Sequence, residues 1–283
     1  MKKILIVLIG IAAAFSATAE EAGKTLVFTS ILPQEYFVER VGGNRVEVQA
    51  LVTPGSSPAT YEPTPRQMAA LSDAKLFFRI GVPFENALIP RIAEMAGPRI
   101  VDTRQGITLR SMKARGREGN DDPHIWLSPR LVQVQARTIA AALTEVDPAG
   151  EATFENNLAD FLEDLEALDT QLAEALAPVD GKTFMVFHPA WGYFADAYGL
   201  VQEPIEIEGK DPSGQQLARM IEMAKDEDVR IIFVQPQFSA DSAKRVAEAI
   251  GGAVVSINPL ARDYLGNLEQ VAVAVREALQ QQE

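Results

Sequence analysis

The chain of 283 residues contains no cysteine. This absence excludes disulfide bonds, a cysteine nucleophile, thiolate metal ligands and an N-terminal cysteine that could carry a lipid anchor. The mature protein is therefore expected to be free and soluble.

Positive charge is also scarce, since 26 lysines and arginines stand against 39 aspartates and glutamates, for a formal net charge of −13. This balance argues against nucleic acid as a partner, because nucleic-acid binding needs basic patches. Hydrophobic residues make up 47% of the chain, which is enough for one or two globular domains with sizeable cores.

One apolar run stands at the start of the chain. Residues 1–19 are typical of a secretory signal, with Lys2 and Lys3 at the start, an apolar segment at 4–15 and small residues at 17–19. The run is too short and too close to the start for a good membrane span. We expect export to the periplasm, with the signal cleaved after Ala19 and no membrane insertion afterwards.

Glycine and proline are missing from residues 151–177, in the middle of the chain. Apolar residues recur there every three or four positions, which predicts one amphipathic helix. They are Phe154, Leu158, Phe161, Leu165, Leu168, Leu172 and Leu176. Asp147 and Pro148 are suited to a helix start, with the aspartate as the cap, and Pro178 ends the pattern. A helix over 148–177 would span about 45 Å. A surface helix or half of a coiled coil would show the same stripe, but we expect a rigid connector between two lobes.

Short strands alternate with helices on both sides of this segment. Predicted strands lie at 26–31, 46–51, 76–80, 99–101, 184–187, 204–207, 231–234 and 254–257. Predicted helices lie at 34–41, 66–72, 85–95, 129–145, 191–198, 213–225, 240–250 and 265–279. The alternation predicts an α/β protein with a parallel four-stranded sheet in each lobe. The expected lobes are 20–147 and 178–283, with a ligand cleft between the carboxyl ends of their strands.

The chain has two histidines, one in each predicted lobe. His124 lies in the loop before the last helix of the first lobe, and His188 follows the first strand of the second. A lone histidine is more often a structural residue than a ligand. The parallel placement of the two favours a metal site, because imidazole is the commonest metal ligand in proteins. A proline-rich loop at 53–65 follows the second strand, and its composition alone is that of a surface crossover.

Five motifs, in order, resemble those of the zinc/manganese-binding solute-binding proteins of metal ABC transporters, the ZnuA/TroA-like family. They are TYEPTP at 60–65, DPHIWLSP at 122–129, FHPAWGYF at 187–194, IEIEGK at 205–210 and FVQPQF at 233–238. The similarity extends over essentially the whole mature chain. It implies two βα lobes joined by a rigid helix and one metal ion in the cleft. It also implies a membrane permease as partner.

The resemblance implies four converging ligands, of which this chain keeps two. His124 and His188 match, whereas Ala59 and Asn258 stand where the family usually has a histidine and an aspartate. Alanine cannot ligate a metal, and the asparagine carbonyl is a weak donor better suited to hard cations. The family's histidine-rich loop is reduced here to residues 113–122, without a histidine.

Glu62 and Glu208 are possible replacement ligands by their motif context, and they could equally fix loop geometry through hydrogen bonds. Two histidines and one carboxylate would suit zinc, iron or manganese. We expect a monomeric periplasmic receptor, without enzymatic activity, that carries one zinc ion or, second, manganese to an inner-membrane ABC permease. One alternative keeps the fold and the transporter but gives the cleft another cation, a metal chelate or a small organic ligand. Another is a metal-dependent hydrolase, although no nucleophile elbow or His-Glu-x-x-His helix is present.

Overall fold

A computed structural model describes residues 23–112, 120–206, 213–226, 229–238 and 241–281 of the chain. In its first part strands and helices alternate. The strands are β1 (Thr25–Thr29), β2 (Val46–Ala50), β3 (Leu76–Arg79) and β4 (Arg99–Asp102). The helices are α1 (Leu32–Gly42), α2 (Pro65–Ser72), α3 (Glu85–Ala93) and α4 (Pro129–Val146).

The second part repeats this alternation after the long helix α5 (Glu151–Leu176). Its strands are β5 (Thr183–Val186), β6 (Val201–Pro204), β7 (Ile231–Val234) and β8 (Ala253–Ser256). Its helices are α6 (Gly192–Ala197), α7 (Gly214–Asp226), α8 (Asp241–Ile250) and α9 (Tyr264–Gln280).

Each part forms one parallel sheet of four strands, which confirms the predicted fold class. The first lobe has the strand order β2-β1-β3-β4 and the second lobe the equivalent order β6-β5-β7-β8. Val27 pairs with both Val48 and Leu76, and Val186 pairs with Pro204 and Phe233. Because all pairs are parallel, the carboxyl ends of the four strands in each sheet lie at one edge.

The connecting helix α5 has 26 residues and is extended at its ends by 3-10 turns at Pro148–Gly150 and Ala177–Val179. It contacts α1 and α4 of the first lobe and α9 of the second. Six of the seven predicted stripe residues are buried, and Leu158 is partly buried. Asp147 lies at the N-cap position of the first of these turns, as predicted, and its two carboxylate oxygens accept hydrogen bonds from Arg45 at 2.7 and 2.8 Å.

The strand predicted at 204–207 lies three residues earlier, at Val201–Pro204. Gly199, with φ of +69°, makes the tight turn from α6 into this strand. After Pro204 the amides of Ile205 and Glu206 still donate to the carbonyls of Val186 and Phe187, at 2.8 and 2.9 Å. These bonds bring Glu206 alongside the end of β5.

The hydrophobic core continues from one lobe into the other. The main cluster includes Phe37, Phe161 and Tyr264, which come from α1, α5 and α9. A second cluster, which includes Met185 and Phe187, lies on the opposite face of the second sheet. Among the described helices, none has both the length and the apolar character needed to span a bilayer.

Candidate metal site

His124 lies in a buried loop held by its own neighbours in sequence. One oxygen of Asp122 accepts a hydrogen bond from the His124 backbone amide at 3.0 Å and lies 2.7 Å from the ring Nδ1. The Tyr193 hydroxyl donates to the Asp122 carbonyl at 3.0 Å, and burial raises the pKa of Tyr193 to about 12. Burial also lowers the pKa of His124, although the Asp122 carboxylate opposes that shift. Burial therefore favours a neutral imidazole, and the Asp122 carboxylate favours a proton on its Nδ1.

His188 comes directly after Phe187, at the carboxyl end of β5, and is held by residues distant in sequence. Its Nδ1 lies 3.0 and 3.1 Å from the two carboxylate oxygens of Glu206, which is 4% exposed. The ring of Phe238 stacks on the imidazole, with centroids 4.8 Å apart and planes inclined by 25°. Gln235 makes hydrogen bonds with both the amide and the carbonyl of His188.

The two imidazoles meet between the lobes. Their Nε2 atoms are 3.3 Å apart and the ring planes are inclined by 72°. In the tautomer in which each Nδ1–H donates to the carboxylate beside it, both Nε2 atoms present lone pairs that a cation between them would bind. Two nitrogens at Zn–N distances of about 2.0–2.1 Å with a tetrahedral angle lie about 3.3–3.4 Å apart. The pair therefore has the spacing of two ligands on one zinc ion.

The remaining candidate residues are not joined to this pair by any hydrogen bond or ring contact in the described residues. Ala59 and Glu62 are exposed in the loop after β2. The Asn258 side-chain oxygen accepts hydrogen bonds from Gln237 Nε2 at 2.8 Å and from the Leu260 amide at 3.0 Å. Glu208 lies outside the described residues. Within them, no group of three or more histidine, aspartate and glutamate side chains is arranged to hold a metal.

A cavity of about 250 Å³ lies between the lobes, and neither His124 nor His188 is among the residues that line it. Thr53, Pro54 and Gly55 line it from the first lobe, and Gln237, Asn258 and Leu260 line it from the second. The indole of Trp126 connects the lobes by donating to the Pro259 carbonyl at 2.7 Å. The Trp126 ring also lies 5.1 Å from that of His124.

Residues 27–278 match the family described as the periplasmic component A of the zinc-uptake complex, ZnuA. The chain belongs to this family. The zinc-binding lipoprotein AdcA of Streptococcus pneumoniae is 30% identical over 92% of this chain, which spans only 56% of the AdcA length. The high-affinity zinc uptake system protein ZnuA of Bacillus subtilis is 28% identical over 86% of this chain and 81% of its own. A crystal structure of ZnuA superposes with a TM-score of 0.86 at 43% identity and covers 90% of this chain and 99% of its own.

The family motifs identified the two histidines as candidate ligands but did not identify the side chains that hold these histidines in place. Asp122 and Glu206 stood inside the DPHIWLSP and IEIEGK motifs, and neither was predicted as a site residue. A signal for Asp122 was present, because an aspartate two residues before a histidine can reach both its amide and its ring. Glu206 gave no such local signal, since 18 positions separate it from His188.

Proposed function

We propose that this chain is the substrate-binding component of an ABC importer and captures a divalent transition metal between His124 and His188. Zinc is the first candidate and manganese the second. The observation that carries the proposal is the pair of Nε2 atoms, 3.3 Å apart, with a carboxylate against each Nδ1. Imidazole nitrogens suit zinc, whereas manganese favours oxygen ligands.

The relatives support the same cargo. AdcA is named a zinc-binding lipoprotein and the Bacillus subtilis ZnuA a zinc uptake system protein. Because solute-binding proteins present their cargo to a membrane partner, the proposal includes delivery to an ABC permease in the inner membrane by a monomeric receptor. Catalysis is not part of it.

The proposal also includes export. Residues 1–19 would act as the signal, cleaved after Ala19, and would leave the receptor free in the periplasm. Residues 1–22 lie outside the described part of the chain. N-terminal sequencing of the exported protein tests this step.

Two histidines leave two positions of a four-coordinate ion for other donors. Each ligand of a structural zinc site contributes about 2.5–4 kcal/mol on average, if a site of four contributes about 10–16 kcal/mol. Asn258, Glu62 and Glu208 are the donors we propose for these positions, together with water. A site completed by a neutral amide or by water binds more weakly and releases its cargo more readily.

Metal content tests the proposal. Protein purified from periplasm without chelators is measured by mass spectrometry and then titrated with zinc and with manganese against a competing chelator. We expect about one ion per chain, lost in His188→Ala and retained in Gln49→Ala, a control at an exposed position on β2. Wild-type protein that takes up neither metal would contradict the proposed function.

A further inference from the structure

The strand ladder around His188 cannot be continued by backbone amides alone. β5 and β7 pair in parallel, and the Phe187 amide still donates to the Phe233 carbonyl at 2.7 Å. Beyond this point Pro189 follows His188 and Pro236 follows Gln235. Neither proline has an N–H group to donate.

The Gln235 side chain makes the connection instead. Its Oε1 accepts from the His188 amide and its Nε2 donates to the His188 carbonyl, each at 3.0 Å. Gln235 is 1% exposed, so water does not compete for these two bonds. A residue fixed at both its N–H and its C=O has little freedom to rotate its backbone.

The same loop also fixes the ring. Phe238, three residues after Gln235, stacks on the imidazole face at 4.8 Å, and Glu206 holds the Nδ1 edge. The side-chain amide of Gln235 thus fixes the backbone from which the His188 side chain extends, while Phe238 and Glu206 fix the orientation of its ring. Together they hold Nε2 at 3.3 Å from that of His124.

We propose that Gln235 is a positioning residue of the metal site, which acts through the backbone of His188 without touching the ion. This inference rests on the proposed function. Side chains that orient metal ligands change metal affinity about 10–100-fold when they are replaced. Gln235→Leu, which keeps the size of the side chain and removes both hydrogen bonds, should weaken zinc binding at least about tenfold.

A matched control comes from the same region. Gln202 on β6 accepts a hydrogen bond from the Trp191 amide at 2.6 Å, three residues beyond His188. Gln202→Leu removes an equivalent bond between a glutamine side chain and this loop, without a bond to His188. Zinc affinities of the wild type, Gln235→Leu, Gln202→Leu and His188→Ala are measured by competition with a chromophoric chelator.

A second measurement separates positioning from general stability. Because the chain contains two histidines, their ring signals in nitrogen-15 NMR spectra are assigned by comparison with His188→Ala. In metal-free Gln235→Leu the His188 ring signals should shift or broaden, while those of His124 stay in place. Gln202→Leu should leave both sets of ring signals in place and the zinc affinity unchanged, because Gln202 bonds to the Trp191 amide and not to His188.

The outcomes separate the two proposals. If His188→Ala lowers zinc affinity but Gln235→Leu does not, the inference about Gln235 is overturned and the proposed function stands. Equal losses in both glutamine variants also overturn the inference, because they show only a weakened loop. If His188→Ala binds zinc as wild type does, both proposals fall. Should Gln235→Leu not fold, Gln235→Glu, which keeps the accepted bond and loses the donated one, is judged by the same criteria.

Discussion

Replacement of Glu206 by glutamine removes the negative charge next to Nδ1 of His188 and nearly preserves the size and shape of the side chain. The carboxylate contacts Nδ1 at 3.0 and 3.1 Å and is 4% exposed, so solvent screens this interaction weakly. A hydrogen bond to a charged group contributes about 1.5–3 kcal/mol and a neutral one about 0.5–1.5 kcal/mol. The difference of about 1–1.5 kcal/mol corresponds to a zinc affinity about 5- to 13-fold weaker in Glu206→Gln.

The assay is a competition titration of zinc with a chromophoric chelator at neutral pH. Glu248→Gln makes the same chemical change at an exposed position on α8 and should leave the affinity unchanged. Thermal unfolding of the metal-free proteins shows whether either substitution damages the fold. An affinity of Glu206→Gln within twofold of wild type would refute the reasoning, because the carboxylate would then add nothing to the basicity or orientation of His188.

Three further predictions concern the cleft and the connecting helix. Ala59→His combined with Asn258→Asp should tighten zinc binding more than about 1,000-fold in the same titration, because it adds two ligands, each contributing about 2.5–4 kcal/mol. No gain would show that these positions do not reach the ion. Arg45 lowers the pKa of Asp147 through its hydrogen bonds, so Asp147 stabilises the fold above the unfolded-state pKa and loses this contribution as its carboxylate is protonated in the folded state. Asp147→Asn should therefore lower the Tm at neutral pH, and the difference should shrink as the pH falls below about 4 towards the lower folded-state pKa of Asp147. A difference independent of pH would count against this account. Because α5 contacts helices of both lobes, small-angle scattering should show nearly the same radius of gyration with and without zinc, and a large change would mean that the lobes swing apart.

The fold could be predicted from the sequence because its signals are local. The apolar stripe of α5 and the alternation of strands and helices each depend on residues within one or two turns of each other. The strand Ile231–Val234 was predicted with its bounds correct. The strand predicted at 204–207 was misplaced by three residues, because the apolar Ile205 resembles a strand residue and its amide still bonds to β5 just beyond the end of Val201–Pro204. The positions of the lobe boundaries stay a prediction.

The site divides in the same way between local and distant contacts. Asp122 contacts His124 from two positions earlier in the chain, so the contact that holds His124 could have been predicted from the Asp-Pro-His spacing. The other half depends on sheet order. β5 lies between β6 and β7, and therefore the residues that follow these two strands, Glu206 and Gln235, flank the residue that follows β5.

This dependence on strand order explains why Glu208 was considered and Glu206 was not. In a strand or an extended segment, side chains two positions apart point to the same side. Periodicity alone therefore does not favour Glu206 over Glu208 as the neighbour of His188. Glu208 lies outside the described residues. The Glu206 amide donates to the Phe187 carbonyl, which sets Glu206 level with His188. The carboxylate next to His188 is therefore determined by a register between strands, and such a register can be derived from a single sequence only after the order of the strands is known.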